Sequence, residues 1–226
     1  MKLLLDTVNL DEIQKGINRY PISGITSNPS IIKKEGKVNF FEHLQKIQEI
    51  IGSSRTLHIQ VTATSVEGIL KDAEALVRQF GKDIYIKIPV SKTGIEAIKI
   101  LSEKGYNITA TAVYTTMQGL LALMAGAKYI AIYYNRMNNL DIDPNRVIKN
   151  ISLEIDKGNY NCEIIAASFK NVKQVTDAYY YGATSCTISF ILAETILEVP
   201  SISKAVGDFT EDWNSIYPDC NLSDLE

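Results

Sequence analysis

The chain has 226 residues, 46% of them hydrophobic, with 23 lysines and arginines against 26 aspartates and glutamates for a net charge of -3. That length suits one large single-core domain, expected over residues 1–226, and the mildly acidic balance leaves no basic footprint for nucleic acid or an anionic membrane. Three widely spaced cysteines form neither a disulfide framework nor a metal-ligand pattern, and three leucines before Asp6 are too short a run for a secretory signal, so a cytoplasmic location is expected.

Short β-branched stretches alternate with longer amphipathic ones from end to end, the pattern of repeated βα units on a parallel sheet. Candidate strands run over residues 3–6, 24–26, 57–62, 84–90, 107–112, 129–134, 163–168 and 185–189. Candidate helices follow at 10–19, 40–51, 66–80, 94–104, 116–125, 144–156, 173–181 and 191–197, with Thr64 or Ser65 and Asp143 placed as N-caps. Eight strand–helix pairs predict an α/β fold of the (β/α)8 TIM-barrel class. One helix is left over. Ile202, Val206, Phe209, Trp213 and Ile216 recur at spacings of three and four within about 202–218, an apolar stripe that either closes the barrel bottom or packs on another subunit. Residues 219–226 read as a solvated, mobile tail.

In a barrel the strand pleat sends alternate residues to the helices and to the interior. Aliphatic residues fill one phase: Leu3 and Leu5, Ile59 and Val61, Ile84, Ile86 and Ile88, Ile108 and Ala110, Ile130 and Ile132. The other phase holds Asp6, His58, Gln60, Lys87, Thr109, Thr111, Tyr133, Ser168, Thr187 and Ser189, most of them late in their strands, where barrel active sites are built. An inward amine at Lys87 loses hydration, which lowers its pKa toward the range of a nucleophile that forms a Schiff base with a carbonyl substrate. A permanent ion pair of Lys87 with Asp6 is the structural alternative, and strand phase alone does not separate the two. His58 lies deeper than Gln60 and reads as a packing residue, while His43 falls on a helix surface. With two histidines and no ligand cluster, no metal is expected.

Seven motifs stand in order along the chain: DT at residues 6–7, GITSNPS at 24–30, HIQV at 58–61, IKIPV at 86–90, TATAVY at 109–114, NR at 135–136 after AIYY, and AASFK at 166–170. Together they make the chain resemble the small transaldolase family, and within it the fructose-6-phosphate aldolase branch, over essentially its whole length. The resemblance implies a class I aldolase in which Lys87 is the Schiff-base lysine, so that no cofactor is needed. It implies further that Asp6 assists proton transfer, that Thr26 and Asn28 contact the donor, and that Thr111, Gln60 and Tyr133 hold a catalytic water. Arg136 and Ser168 match the phosphate clamp for the acceptor, with Lys170 a weaker addition, and Thr109 and Ala131 complete the expected substrate contacts. Transaldolases of the family generally carry glutamate and phenylalanine where this chain has Gln60 and Tyr133. Since an amide does not exchange protons at neutral pH, the acid/base role falls to Tyr133.

The expected reaction is cleavage or formation of fructose 6-phosphate from dihydroxyacetone and glyceraldehyde 3-phosphate. The alternatives are a transaldolase of the pentose phosphate pathway, passing the same three-carbon unit to an aldose phosphate, and a non-catalytic barrel that binds a sugar phosphate. The partners expected are small sugars and sugar phosphates, together with further copies of the chain. By resemblance, the last helix reaches across to a neighbouring subunit in a pentamer or decamer.

Overall fold

The structure is a computed structural model describing residues 1–225. Eight parallel strands close into one barrel in sequence order. They are β1 (Lys2–Asp6), β2 (Ile22–Thr26), β3 (Thr56–Gln60), β4 (Tyr85–Pro89), β5 (Ile108–Val113), β6 (Tyr129–Tyr133), β7 (Glu163–Ala167) and β8 (Ser185–Ile188). β8 pairs back onto β1 with Leu4 beside Thr187, so no strand edge is left open. The chain divides into two compact units, 1–190 with the barrel and 191–226 with the C-terminal helices.

Between the strands run α1 (Leu10–Arg19), α2 (Pro29–Glu35), α3 (Phe40–Ile51), α4 (Val66–Phe80), α5 (Lys92–Glu103), α6 (Thr116–Met124), α7 (Tyr134–Asn138), α8 (Pro144–Gly158) and α9 (Val172–Tyr180). Their starts are chemically marked. Ser65 accepts from the Gly68 amide to begin α4, and Asp143 accepts from Asn145 and Arg146 ahead of Pro144 in α8, both as the sequence predicts. Two helices were not foreseen, α2 and α7. Each is short, follows a strand directly at the barrel mouth, and has too few turns to show a hydrophobic period.

The helix-facing strand residues form the larger core. Leu5, Ile25, Ile59, Ile86, Ile88, Ile108, Ile130 and Ile132 are fully buried, each burial contributing roughly 1.5–3 kcal/mol. Inside the barrel, Leu4, Tyr129, Ala131 and Ile165 pack together with Tyr85. His58 stacks on the Tyr85 ring at 4.6 Å between centroids and meets Tyr129 edge-on at 5.2 Å, completing an apolar and aromatic floor.

Two local departures from regular strand geometry shape the mouth. In β5 the register shifts between Ala110 and Val113, where Ala112 takes a left-handed φ of 58°, a bulge that ends the alternation just after Thr111. The sequence pattern predicts Ser168 in the inward phase of its strand, but β7 ends at Ala167, and it is Ile165 and Ala167 that line the interior. Ser168 reaches the same space by a left-handed turn at φ 65°.

In the second unit, α10 (Phe190–Leu197) is followed by α11 (Pro200–Ile216), the additional helix beyond the eight βα units. Its Ile202, Val206, Phe209 and Ile216 are exposed. Trp213 lies over Tyr217 at 4.8 Å between centroids and donates from Nε1 to the Cys220 carbonyl at 2.6 Å. The segment expected as a solvated, mobile tail contains an exposed 3₁₀ turn, Leu222–Asp224, fastened by the Asn221 amide on Asp224. Glu226, the last residue of that expected tail, lies outside the described residues.

Gly94 shows how tightly α5 sits over β4. Its amide donates to the capping Ser91 hydroxyl, and a Cβ there would come within 1.9 Å of the Pro89 carbonyl oxygen. Gly94→Ala is expected to cost about 1–3 kcal/mol, because the obstacle is backbone that has to move rather than a side chain that can turn. Urea denaturation checks this as a lower midpoint with an unchanged slope.

Candidate active site

At the C-terminal ends of the strands, Asp6, Thr26, Asn28, Lys87, Thr109, Ala131, Tyr133, Arg136 and Ser168 line one small cavity of about 80 Å³. All nine were singled out from the sequence. Ile165, Ala167 and Thr187 complete the wall. A larger concavity of about 660 Å³ lies among the turns leading into β3 and β4, with Gln48, Ser53, Arg55 and Asp83 on its rim. None of the inward-facing polar strand residues opens onto it, so the smaller cavity is the candidate site.

Lys87 sits in the middle of β4, with Gln60 of β3 beside it in register on one side and Thr109 of β5 on the other. Its side chain is 4% exposed, and Nζ donates to the Ser27 carbonyl at 2.8 Å. Sequence reasoning missed Ser27, since a main-chain acceptor leaves no mark in residue type. Lys87 forms no salt bridge among the described residues, and Asp6 acts on it through space. The permanent ion pair is therefore not formed. Burial lowers the Lys87 pKa from the ordinary lysine value, and the nearby Asp6 carboxylate opposes this only in part.

Asp6 is pushed the other way by the same cause. Burial raises its pKa, while Lys87 and a hydrogen bond from Thr26 hold it back. Thr26 Oγ1 donates to Asp6 Oδ1 at 2.6 Å and lies 2.7 Å from Thr187 Oγ1. Because the Thr26 proton is engaged with Asp6, Thr187 donates to Thr26, and the hydroxyls form a chain from β8 through β2 to the carboxylate of β1.

Across the cavity, Thr111 Oγ1 donates to the Tyr133 hydroxyl oxygen at 3.2 Å, leaving the phenol's own proton for another acceptor. Burial raises the Tyr133 pKa and keeps it protonated, with Thr111 and Arg136 opposing. Arg136, carried by α7, lies over the Tyr133 ring at 4.5 Å from its centroid, and Tyr114 meets the same ring edge-on. Gln60 and Thr111 are not among the residues that line this cavity, and Gln60 borders a separate concavity with Phe40, Phe41 and Val61. The Gln60 Oε1 atom is buried without a hydrogen-bond partner, an acceptor ready for a donor brought in from the site.

Asn28 caps α2, its Oδ1 accepting from Ser30 and Ile31, so only its amide nitrogen remains for a ligand. Lys170 is exposed and outside the cavity wall. His43 is half-buried and bound to the Val8 carbonyl at 2.7 Å, rather than free on a helix surface. Among the described residues, no three His, Cys, Asp or Glu side chains gather to hold a metal ion, and no helix is long and apolar enough to cross a membrane.

Comparison with known proteins agrees with this geometry. Residues 3–219 match the family described as transaldolase/fructose-6-phosphate aldolase. The chain belongs to that family. A probable fructose-6-phosphate aldolase of Streptococcus pneumoniae is 53% identical over 213 residues, covering 94% of this chain and 96% of the relative.

In this family member the hydroxyl chain onto Asp6 is open to a direct test. Thr26→Val removes the hydrogen bond that holds the Asp6 pKa down, so that pKa is expected to rise further, and stability at neutral pH to fall by about 1–3 kcal/mol. A carbon-13 NMR titration of the Asp6 carboxyl, with urea unfolding in parallel, reads both effects.

Proposed function

We propose that the chain is a class I aldolase that cleaves and forms fructose 6-phosphate through a Schiff base on Lys87. The observation that carries this reading is the Lys87 amine, buried at the barrel mouth without an ion-pair partner and with its pKa lowered. Such an amine has a lone pair for attack on a ketone.

Neutral Lys87 attacks the ketone carbon of fructose 6-phosphate, water leaves, and an iminium forms. The bond between the third and fourth carbons breaks, its electron pair flows into the iminium to give an enamine, and the proton of the fourth carbon's hydroxyl passes to the site. Glyceraldehyde 3-phosphate departs. Its phosphate is held by the Arg136 guanidinium, which suits phosphate oxygens as a planar fork, and by the Ser168 hydroxyl. Tyr133 returns the proton to the enamine carbon through a water held with Thr111 and Gln60. Hydrolysis then releases dihydroxyacetone and the free amine. Among the described residues Gln60 Oε1 lacks a donor and the Tyr133 proton lacks an acceptor, which supports a water as a ligand of each. In the proposed assembly, the exposed apolar residues of α11 pack on a neighbouring copy of the chain.

Fructose 6-phosphate supplied alone, with no acceptor aldehyde, is expected to yield glyceraldehyde 3-phosphate and dihydroxyacetone together, with sustained turnover. Turnover that begins only when erythrose 4-phosphate is added would make the protein a transaldolase instead. Tyr133→Phe is expected to lower turnover by about a hundredfold or more, the usual weight of a general acid/base. Near-normal activity in that variant would remove Tyr133 from the proton path.

The pH dependence follows from Lys87. Only its neutral form attacks, so borohydride-trapped adduct with dihydroxyacetone should reach its full rate above the Lys87 pKa and decline as pH falls through it, with a midpoint below 10.5. Asp6 holds that pKa up, so Asp6→Asn is expected to move the midpoint to lower pH. A midpoint moving upward would contradict the electrostatics.

A further inference from the structure

His58 is fully buried beneath the cavity and bonded at both ring nitrogens. Nδ1 lies 2.8 Å from Thr109 Oγ1, and Nε2 lies 3.0 Å from Thr56 Oγ1. The stacked Tyr85 ring and the edge-on Tyr129 ring hold the imidazole plane, so the two nitrogens cannot exchange places without breaking the barrel floor. The surroundings also keep it uncharged, since burial and the amines of Lys87 and Lys2 all disfavour the imidazolium. A neutral imidazole has one donor and one acceptor nitrogen, and the partners decide which is which.

Thr56 Oγ1 has the Ser23 carbonyl at 3.5 Å as its acceptor. With the Thr56 proton directed there, its oxygen accepts from His58 Nε2–H, and Nδ1 is left to accept from the Thr109 hydroxyl. Every donor in the chain from Thr109 to Ser23 then has an acceptor. The opposite tautomer has Thr56 donate to Nε2 and so gives up the Thr56 bond to the Ser23 carbonyl, while Nδ1–H donates to Thr109 and turns the Thr109 proton toward the cavity it lines.

We propose that His58 is a positioning residue that draws the Thr109 hydroxyl proton downward and thereby presents the Thr109 oxygen to the cavity as a hydrogen-bond acceptor. Thr109 stands beside Lys87 in register, in a cavity wall where the apolar Ala131, Ile165 and Ala167 alternate with polar groups such as Asp6 and Thr187. An acceptor at that position favours a ligand group that donates there. In the aldolase reading, on which the ligand's identity rests, the reacting carbon of the donor faces the mouth, where Arg136 and Ser168 lie. The carbon that does not react points down, toward the layer of Lys87 and Thr109. His58 and Thr109 together then select a donor with a hydroxyl on that non-reacting carbon, dihydroxyacetone over hydroxyacetone.

The hydroxyl direction is read without substrate. The chain has two histidines, His43 and His58, so nitrogen-15 NMR of the protein beside its His43→Gln variant assigns both rings. His58 is expected to be neutral with the proton on Nε2, and a proton on Nδ1 overturns the inference. Selection is read from the ratio of kcat/KM for dihydroxyacetone to that for hydroxyacetone, with glyceraldehyde 3-phosphate as acceptor. Thr109→Val is expected to lower that ratio about tenfold, the weight of one hydrogen bond. His58→Phe should lower it in the same direction, and His58→Asn, which keeps an acceptor near the Nδ1 position, should restore part of it. An unchanged ratio in Thr109→Val overturns the assignment. A protein inert toward both donors would reject the aldolase reading, while the tautomer would still decide the direction of the Thr109 hydroxyl.

Discussion

The site depends on keeping a lysine amine inside a closed barrel without neutralising it by an ion pair. Taking an ammonium out of water costs several kcal/mol, which the protein meets either by supplying a bonded carboxylate or by letting the proton go. Here the bonded partner of Lys87 is a neutral carbonyl, that of Ser27, and the carboxylate of Asp6 is occupied by the Thr26 hydroxyl. Burial thus displaces both groups toward their uncharged forms, the amine downward in pKa and the acid upward. Had Asp6 turned to bond Nζ directly, the amine would be held protonated and its lone pair lost.

The rest of the barrel meets the cost of that arrangement. Ile86 and Ile88, the immediate neighbours of Lys87 in sequence, are fully buried on the helix side, and their burial fixes the strand so that the lysine has only the interior to enter. Beneath it, the packed floor of Leu4, Tyr85, Tyr129 and Ile165 leaves the amine no downward route to water. Irregular backbone is confined to the mouth, with the Ala112 bulge and the left-handed Ser168. Rigid strands place the reactive groups, and the loops above them turn Arg136 and Ser168 over the same space.

Much of this was legible in the sequence because period-2 patterning sorts strand residues into two faces without knowledge of the partners. Asp6, Lys87, Thr109, Thr111 and Tyr133 were all assigned to the interior by phase, and the eight βα repeats gave the barrel. The failures share a cause. Ser168 enters the cavity by a left-handed turn rather than by the pleat, and no pattern in AASFK marks that turn. The Ser27 carbonyl is main chain, invisible to residue type. Helices α2 and α7 are shorter than the period that would reveal them. His58 was read as packing, which its stacking bears out, but its two hydrogen bonds join strands far apart in sequence and leave no local trace.

The neutrality of Gln60 belongs to the same electrostatic arrangement. Gln60 is the register neighbour of Lys87 on β3, as near to it along the sheet as Thr109 is on β5. A carboxylate at that position would be a second anion close to a buried amine already attracted by Asp6. Two anions favour the ammonium more strongly than one, so the Lys87 pKa would rise and less of the nucleophile would be present at neutral pH. An amide avoids that attraction and still presents a carbonyl oxygen that lacks a partner among the described residues. Tyr133, whose pKa burial raises and which accepts from Thr111, is likewise uncharged and adds no anion near the amine. A single carboxylate, an amide and a phenol around one lysine are therefore one electrostatic solution, in which burial and the lack of a second anion both favour the uncharged amine.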